Sequence, residues 1–386
     1  MRVLAFLVIL MSCLSGGYAS TPALPPDPTA VATLDLSSLF PSRQVDLQRT
    51  SIAFVSETSM AVVLCSKGKP DQCQLSLIRW ETGVLQPFAQ TPGLNTWAHV
   101  NPATDGRVLM TCYSFCEPVL YSADLSISRH LPEPIHVVSP SGGKVATITI
   151  GGEKPTTRGF KPTHGSWKVY RVSSTLEPIR DGTGKLLAIS DDVVVIQDGT
   201  TLRTETLAGK LLGSFSVQLG FSCPNQVEPL GDNRLYLNDC KSLRIVDFNG
   251  NQQLKLQPPK GWGYTWFGTN MFPRSADGSR MLFDYKSRDV SVLRNIVVAT
   301  VGLATLLEVD LSQCCNRQEI RVVDTVTGAS CFEWRQSFPM GSNPFAAPSI
   351  SPSGEFLAIV REKTLSIYHL PAVCGAKKLS PSSTLE

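Results

Sequence analysis

The chain has 386 residues, 42% of them hydrophobic and 17% charged, with 35 Lys and Arg against 32 Asp and Glu. That apolar content is ample for a packed core, and the charge fraction lies below the roughly 25% of ordinary globular chains, which excludes extensive disorder and long charged coiled coils. A formal net charge of +3 gives no strong pull toward nucleic acid or anionic membranes, and 29 Gly with 27 Pro argue against an all-helical bundle.

At the N-terminus, Arg2 precedes an apolar run from Val3 to Met11, and small residues at Gly17 and Ala19 frame a cleavage position. This is the pattern of an export signal over residues 1–19, so a secreted or periplasmic location is expected. The run is far shorter than the roughly 20 residues that cross a bilayer, so no transmembrane segment is expected. Leu10-Met11-Ser12-Cys13 outlines a lipobox with an atypical second position, which makes lipid attachment at Cys13 the lesser alternative. Residues 20–30, with Pro22, Pro25, Pro26 and Pro28, read as an extended linker.

From residue 31 to 374 one passage recurs: a short alternating strand that closes on a turn. Its clearest copies are Ser76–Gly83, Leu243–Gly250 and Ile320–Gly328, and looser ones are Pro118–Asp124, Trp167–Ser173, Leu202–Gly209 and Leu365–Pro371. Five of the six intervals between their turns are near the roughly 40–45 residues of a four-stranded propeller blade, and the sixth holds one blade plus an insertion at about 286–316. A second passage precedes the first, a Ser-Gly or Asp-Gly turn followed by an apolar strand, as in Ser139–Ile148, Ser275–Phe283 and Ser351–Val360. These residues resemble the hairpins of TolB-type propellers, and the recurring strand resembles the third strand of WD-repeat-like blades. The resemblance implies an all-β fold, a seven-bladed β-propeller. After Pro371 no strand follows, so the last blade is expected to borrow its outer strand from Val31–Phe40, which would close the ring and cover a sheet edge. The stretch Thr156–Trp167 reads as a loop, and 375–386 as a disordered tail.

Removal of the signal takes away one of 11 cysteines and leaves an even number. In an oxidising compartment Cys65 with Cys73 and Cys112 with Cys116 are spaced for cross-hairpin disulfides, and Cys223 with Cys240 is a third candidate. Cys314, Cys315, Cys331 and Cys374 are left to pair in an order the sequence leaves open. Cys112-x3-Cys116 alone has zinc-like spacing without a second ligand pair, so no metal is expected.

No nucleophile elbow, zinc-protease helix, phosphate loop or dinucleotide fingerprint occurs, so neither a catalytic set nor a cofactor is expected. His99 and His136 each precede a hairpin turn and are placed near the central channel. The aromatic run Trp262-Gly263-Tyr264-Thr265-Trp266, together with Trp97 at a similar entry, is the candidate ligand surface, with His99 beside it. The apolar run 296–307 in the insertion is a candidate interfacial contact. The expected role is a non-catalytic scaffold for a protein, peptide or glycan ligand, without nucleic acid. The alternative is an extracytoplasmic hydrolase or lyase acting on polysaccharide or peptide.

Overall fold

In a computed structural model the described residues are 29–39, 50–65, 73–90, 98–112, 118–126, 128–131, 135–156, 159–173, 175–217, 226–238, 243–256, 274–288, 316–338, 347–361 and 363–375. They form seven antiparallel sheets. Blade one is β2 (Ser51–Phe54), β3 (Ser59–Cys65), β4 (Cys73–Arg79) and β5 (Val84–Gln90); blade two is β6 (Ala98–Pro102), β7 (Val108–Cys112), β8 (Val119–Tyr121) and β9 (Ser128–His130). Blade three comprises β10 (Val137–Val138), β11 (Lys144–Thr156), β12 (Gly159–Val172) and β13 (Leu176–Thr183). Blade four comprises β14 (Lys185–Ile189), β15 (Val193–Asp198), β16 (Thr201–Thr206) and β17 (Leu211–Ser216). Blade five is β18 (Gln226–Leu230), β19 (Arg234–Asn238), β20 (Leu243–Asp247) and β21 (Gln252–Leu256). Among the described residues, blade six has β22 (Arg280–Arg288), β23 (Asn316–Asp324) and β24 (Ser330–Phe338), with a bridge from Arg274 to Met281 at its inner edge. Blade seven has β25 (Ala347–Ile350), β26 (Phe356–Arg361) and β27 (Thr364–His369), and its outer strand is β1 (Ala32–Asp35) from the other end of the chain.

The ring follows from the packing. The inner strands of a blade are buried on both faces, as in β3 and β19, so successive residues serve two different interfaces. In β3, Met60, Val62 and Leu64 join Ala358, Val360 and Leu365 of blade seven, whereas Ala61, Val63 and Cys65 join Val100, Val108 and Met110 of blade two. The continuous apolar run Met60–Cys65 is therefore two alternating half-cores. The same division recurs around the molecule in seven clusters, each shared by two neighbouring blades. Seven blades with seven shared cores make a closed ring without a free first or last blade. Gly142 shows how tight the joints are: its φ is +65°, and a Cβ there would run into the Pro102 carbonyl of the adjacent blade.

β1 lies antiparallel to β27, with Ala32 opposite Ile367 and Asp35 opposite Thr364. The strand is shorter than the run Val31–Phe40 suggests, because residues 37–39 turn and send Leu36 and Leu39 into the core between blades seven and one. The stretch Thr156–Trp167 is not a loop. β11 and β12 pair from Lys144/Arg171 out to Thr156/Gly159, a two-stranded ribbon that extends beyond the neighbouring strand β13. Of the Gly and Pro residues that suggest a loop, Gly151 and Gly152 sit at register shifts, while Pro155 and Gly159 lie in regular register further out.

Candidate functional site

The antiparallel strand order gives the ring two unlike faces. First-to-second and third-to-fourth turns emerge on one, here the turn face; the other connections emerge on the opposite, loop face. On the turn face the chain reverses in tight turns held by side chains. Asp247 accepts from the Asn249 and Asn251 amides at 2.9 and 2.8 Å, and Asp324 accepts from Val326 and Thr327 at 2.9 and 2.7 Å. This is why an acid ends the recurring third strand: its carboxylate satisfies turn amides. The Ser122 and Ser126 hydroxyls and the Ser126 amide hold the Asp124 carboxyl down to about 2 in the same way.

Ties between blades close the turn face further. Ser139 and Ser141 donate to Asp191 of the next blade at 3.1 and 2.6 Å, and Ser353 donates to Glu57 across the ring closure at 2.7 Å. Arg107 donates to the Ser173 carbonyl at 2.8 Å, Arg180 pairs with Glu205, Arg234 donates to the Thr325 carbonyl at 3.1 Å, and Arg280 to the Pro371 carbonyl at 2.6 Å. A disulfide joins Cys331 of blade six to Cys374 beyond β27, with a Cα–Cα distance of 4.3 Å.

The loop face is built differently. Its connections include 66–72, 91–97, 218–225, 257–273 and 289–315, and the ribbon of β11 and β12 projects from it. Trp97, Trp262, Tyr264 and Trp266 lie outside the described residues, as do the signal segment, Cys13 and the apolar run 296–307. Cys65 is disulfide-bonded and stands opposite Cys73 in the β3–β4 register. Cys112 ends β7, while Cys116, Cys223, Cys240, Cys314 and Cys315 lie outside the described residues.

Near the axis, His99 lies on β6, the innermost strand of blade two, and burial pulls its imidazole down to about 4. A ring this reluctant to take a proton is neutral at physiological pH. His136 precedes β10 and accepts from the Ile148 amide at 3.0 Å, which gives it a structural role in blade three. Among the described residues no group of three His, Cys, Asp or Glu could hold a metal, and no helix is long and apolar enough to cross a membrane.

Two charged residues that the sequence does not single out meet at the inner end of the joint between blades five and six. Glu228 lies on β18, two residues before Leu230, which packs toward blade six; alternation puts Glu228 on that same side. Its register partner Tyr236 belongs to the same core, with Phe283 and Tyr285 stacked beyond it at 5.7 Å. Arg274 comes from blade six and faces blade five alongside its partner Met281. Burial pushes the Glu228 carboxyl up to about 7, against the opposing pull of Arg274. The only sequence signal is an acid within a short apolar first strand. A separate cluster in blade six is ion-paired: buried Glu319 lies 2.6 Å from Arg321 and 2.7 Å from Arg335.

No family model matches the chain, and no curated protein matches it. Solved structures do. A chain of a mitotic checkpoint complex aligns over 89% of this chain and 96% of its own, with 11% identity and a TM-score of 0.51. Streptogramin B lyase aligns over 88% and 97%, with 10% identity and a TM-score of 0.45. At such identities the likeness is one of fold: a seven-bladed β-propeller of WD-repeat-like form.

Proposed function

We propose that this chain is an exported binding scaffold that recognises a protein or peptide through its loop face. The observation that carries the reading is the contrast between the faces. The turn face spends its polar side chains on its own turns and on neighbouring blades, whereas the loop face carries the longer connections and the projecting ribbon. Loops held by a rigid ring are where recognition is placed in such folds. Trp97, Trp262, Tyr264 and Trp266 supply large, rigid aromatic area suited to peptide side chains, and equally to a glycan. The disulfides at Cys65 and Cys331–Cys374 suit the oxidising compartment that the signal implies. The structurally similar chain of the mitotic checkpoint complex works inside a protein assembly, a precedent for the role.

The test compares faces. The ribbon is shortened by replacing residues 150–165 with a two-residue turn, and in a second variant Arg107, on the turn face, is changed to Gln. Ligands captured from the extracytoplasmic fraction by the wild type should be lost on shortening the ribbon or on Trp262→Ala, and kept by Arg107→Gln. Loss with the turn-face variant alone would place recognition on the other face.

A further inference from the structure

We propose that Arg274 and Glu228 form a carboxylate-binding site at the inner end of the joint between blades five and six. The site is separate from the loop face. Of the donors of Arg274, Nε and Nη2 are buried and have no hydrogen-bond partner among the described residues. These two N–H groups lie on one edge of the guanidinium and form the planar fork that matches a carboxylate with two parallel bonds. Elsewhere in the ring, Arg107, Arg180, Arg234 and Arg280 use their guanidinium groups to tie neighbouring blades. Among the described residues other arginines leave Nε alone buried without a hydrogen-bond partner, whereas Arg274 leaves both Nε and Nη2.

Among the described residues, Arg274 bridges Met281 at the inner edge of blade six. Glu228 faces the same joint from blade five, close enough to interact electrostatically with Arg274, yet the two form no ion pair. A group lodged between them would accept two bonds from Arg274 and, while Glu228 is protonated, a third from its O–H. An acid paired with a carboxylate through a shared proton needs one partner neutral, and burial holds Glu228 neutral up to about pH 7. The surrounding charges favour a single negative charge. Asp191 and Asp277 also act on Arg274, Asp191 is itself bridged by Lys144 at 3.6 Å, and Tyr236 and Tyr285 are kept protonated by burial. A doubly charged phosphate would be repelled by these acids more strongly than a singly charged carboxylate.

The carboxylate can belong to a free organic acid or to an acidic side chain of a peptide, and the experiment separates these. Sodium propionate and the peptide Ac-Gly-Glu-Gly-NH2 are titrated by calorimetry into the mature protein at about pH 6 and about pH 8, one unit either side of the Glu228 transition. Binding of at least one probe is expected, weaker by about tenfold at the higher pH as Glu228 ionises and repels it. Binding of propionate alone identifies a free acid as the source, and binding of the peptide identifies a protein ligand. Arg274→Gln should reduce the affinity at least about tenfold at the lower pH, and Arg274→Lys, which keeps the charge without the fork, should fall between. Glu228→Gln is nearly isosteric and should bind with the same affinity at both values. Should Arg274→Gln fail to melt cooperatively, the pH response of Glu228→Gln decides the matter. Absence of binding by either probe, binding independent of pH in the wild type, or pH dependence retained in Glu228→Gln overturns the proposal. None of these outcomes depends on the ribbon, so the result is independent of the loop-face reading.

Discussion

His99 shows at the residue scale how the fold rewrites a side chain that the sequence only locates. The imidazole ordinarily titrates near 6.5, and burial in blade two lowers it to about 4. The sign follows from proton binding. Between these values the unfolded chain holds a proton that the folded chain refuses, so stability is fully present above about 6.5 and is lost as pH falls through 4. The separation corresponds to about 3 kcal/mol at most. Denaturant unfolding followed from pH 7 down to 4 should show this loss in the wild type and a shallower slope in His99→Gln; equal slopes would show that His99 does not carry it. The residue scale is also where sequence reading stops. Asp124, Asp247 and Asp324 can be read as turn residues because their partners lie two to four positions away. Glu228 and Arg274 cannot, since their encounter depends on which side of two different blades each residue faces.

Among the elements, the third strands are legible in all seven units because each combines a period-two apolar pattern with a local turn signal, both contained in seven to nine residues. The ribbon is not, because Gly151, Gly152, Pro155 and Gly159 read as loop in isolation, whereas the paired strands absorb Gly151 and Gly152 at register shifts and hold Pro155 and Gly159 in register. The C-terminal segment is held by two devices whose pairing the sequence leaves open. Cys374 is bonded to Cys331, and the Gly375 amide donates to the Ser330 carbonyl at 3.1 Å. A disulfide closing 43 residues constrains the unfolded chain by about 4 kcal/mol in the loop-entropy treatment, with measured effects commonly smaller. Cys331→Ser should therefore lower the unfolding free energy by about 2–4 kcal/mol. The comparison is made with the oxidised wild type by guanidinium titration, and an unchanged midpoint would show that the staple contributes nothing to stability.

For the whole molecule, closure is the feature on which the other statements rest. A ring divides its loops between two faces and gives every blade two neighbours; a chain of blades left open would expose the apolar sides of blades one and seven. The sequence reveals the period and the missing last strand, while the identity of each interface emerges only from the packing, since the core residues of one joint are spread over two blades. The most direct measurement is a cross-strand bond at the closure. Thr33 and Ser366 are register partners on β1 and β27, and cysteines placed at two such positions meet the short Cβ separation that a disulfide needs. In the Thr33→Cys, Ser366→Cys protein, mass spectrometry of the non-reduced digest should find the peptides containing positions 33 and 366 linked within one chain, with a raised melting temperature. Free thiols at both positions in the folded protein, or linkage only between chains, would contradict the closed ring.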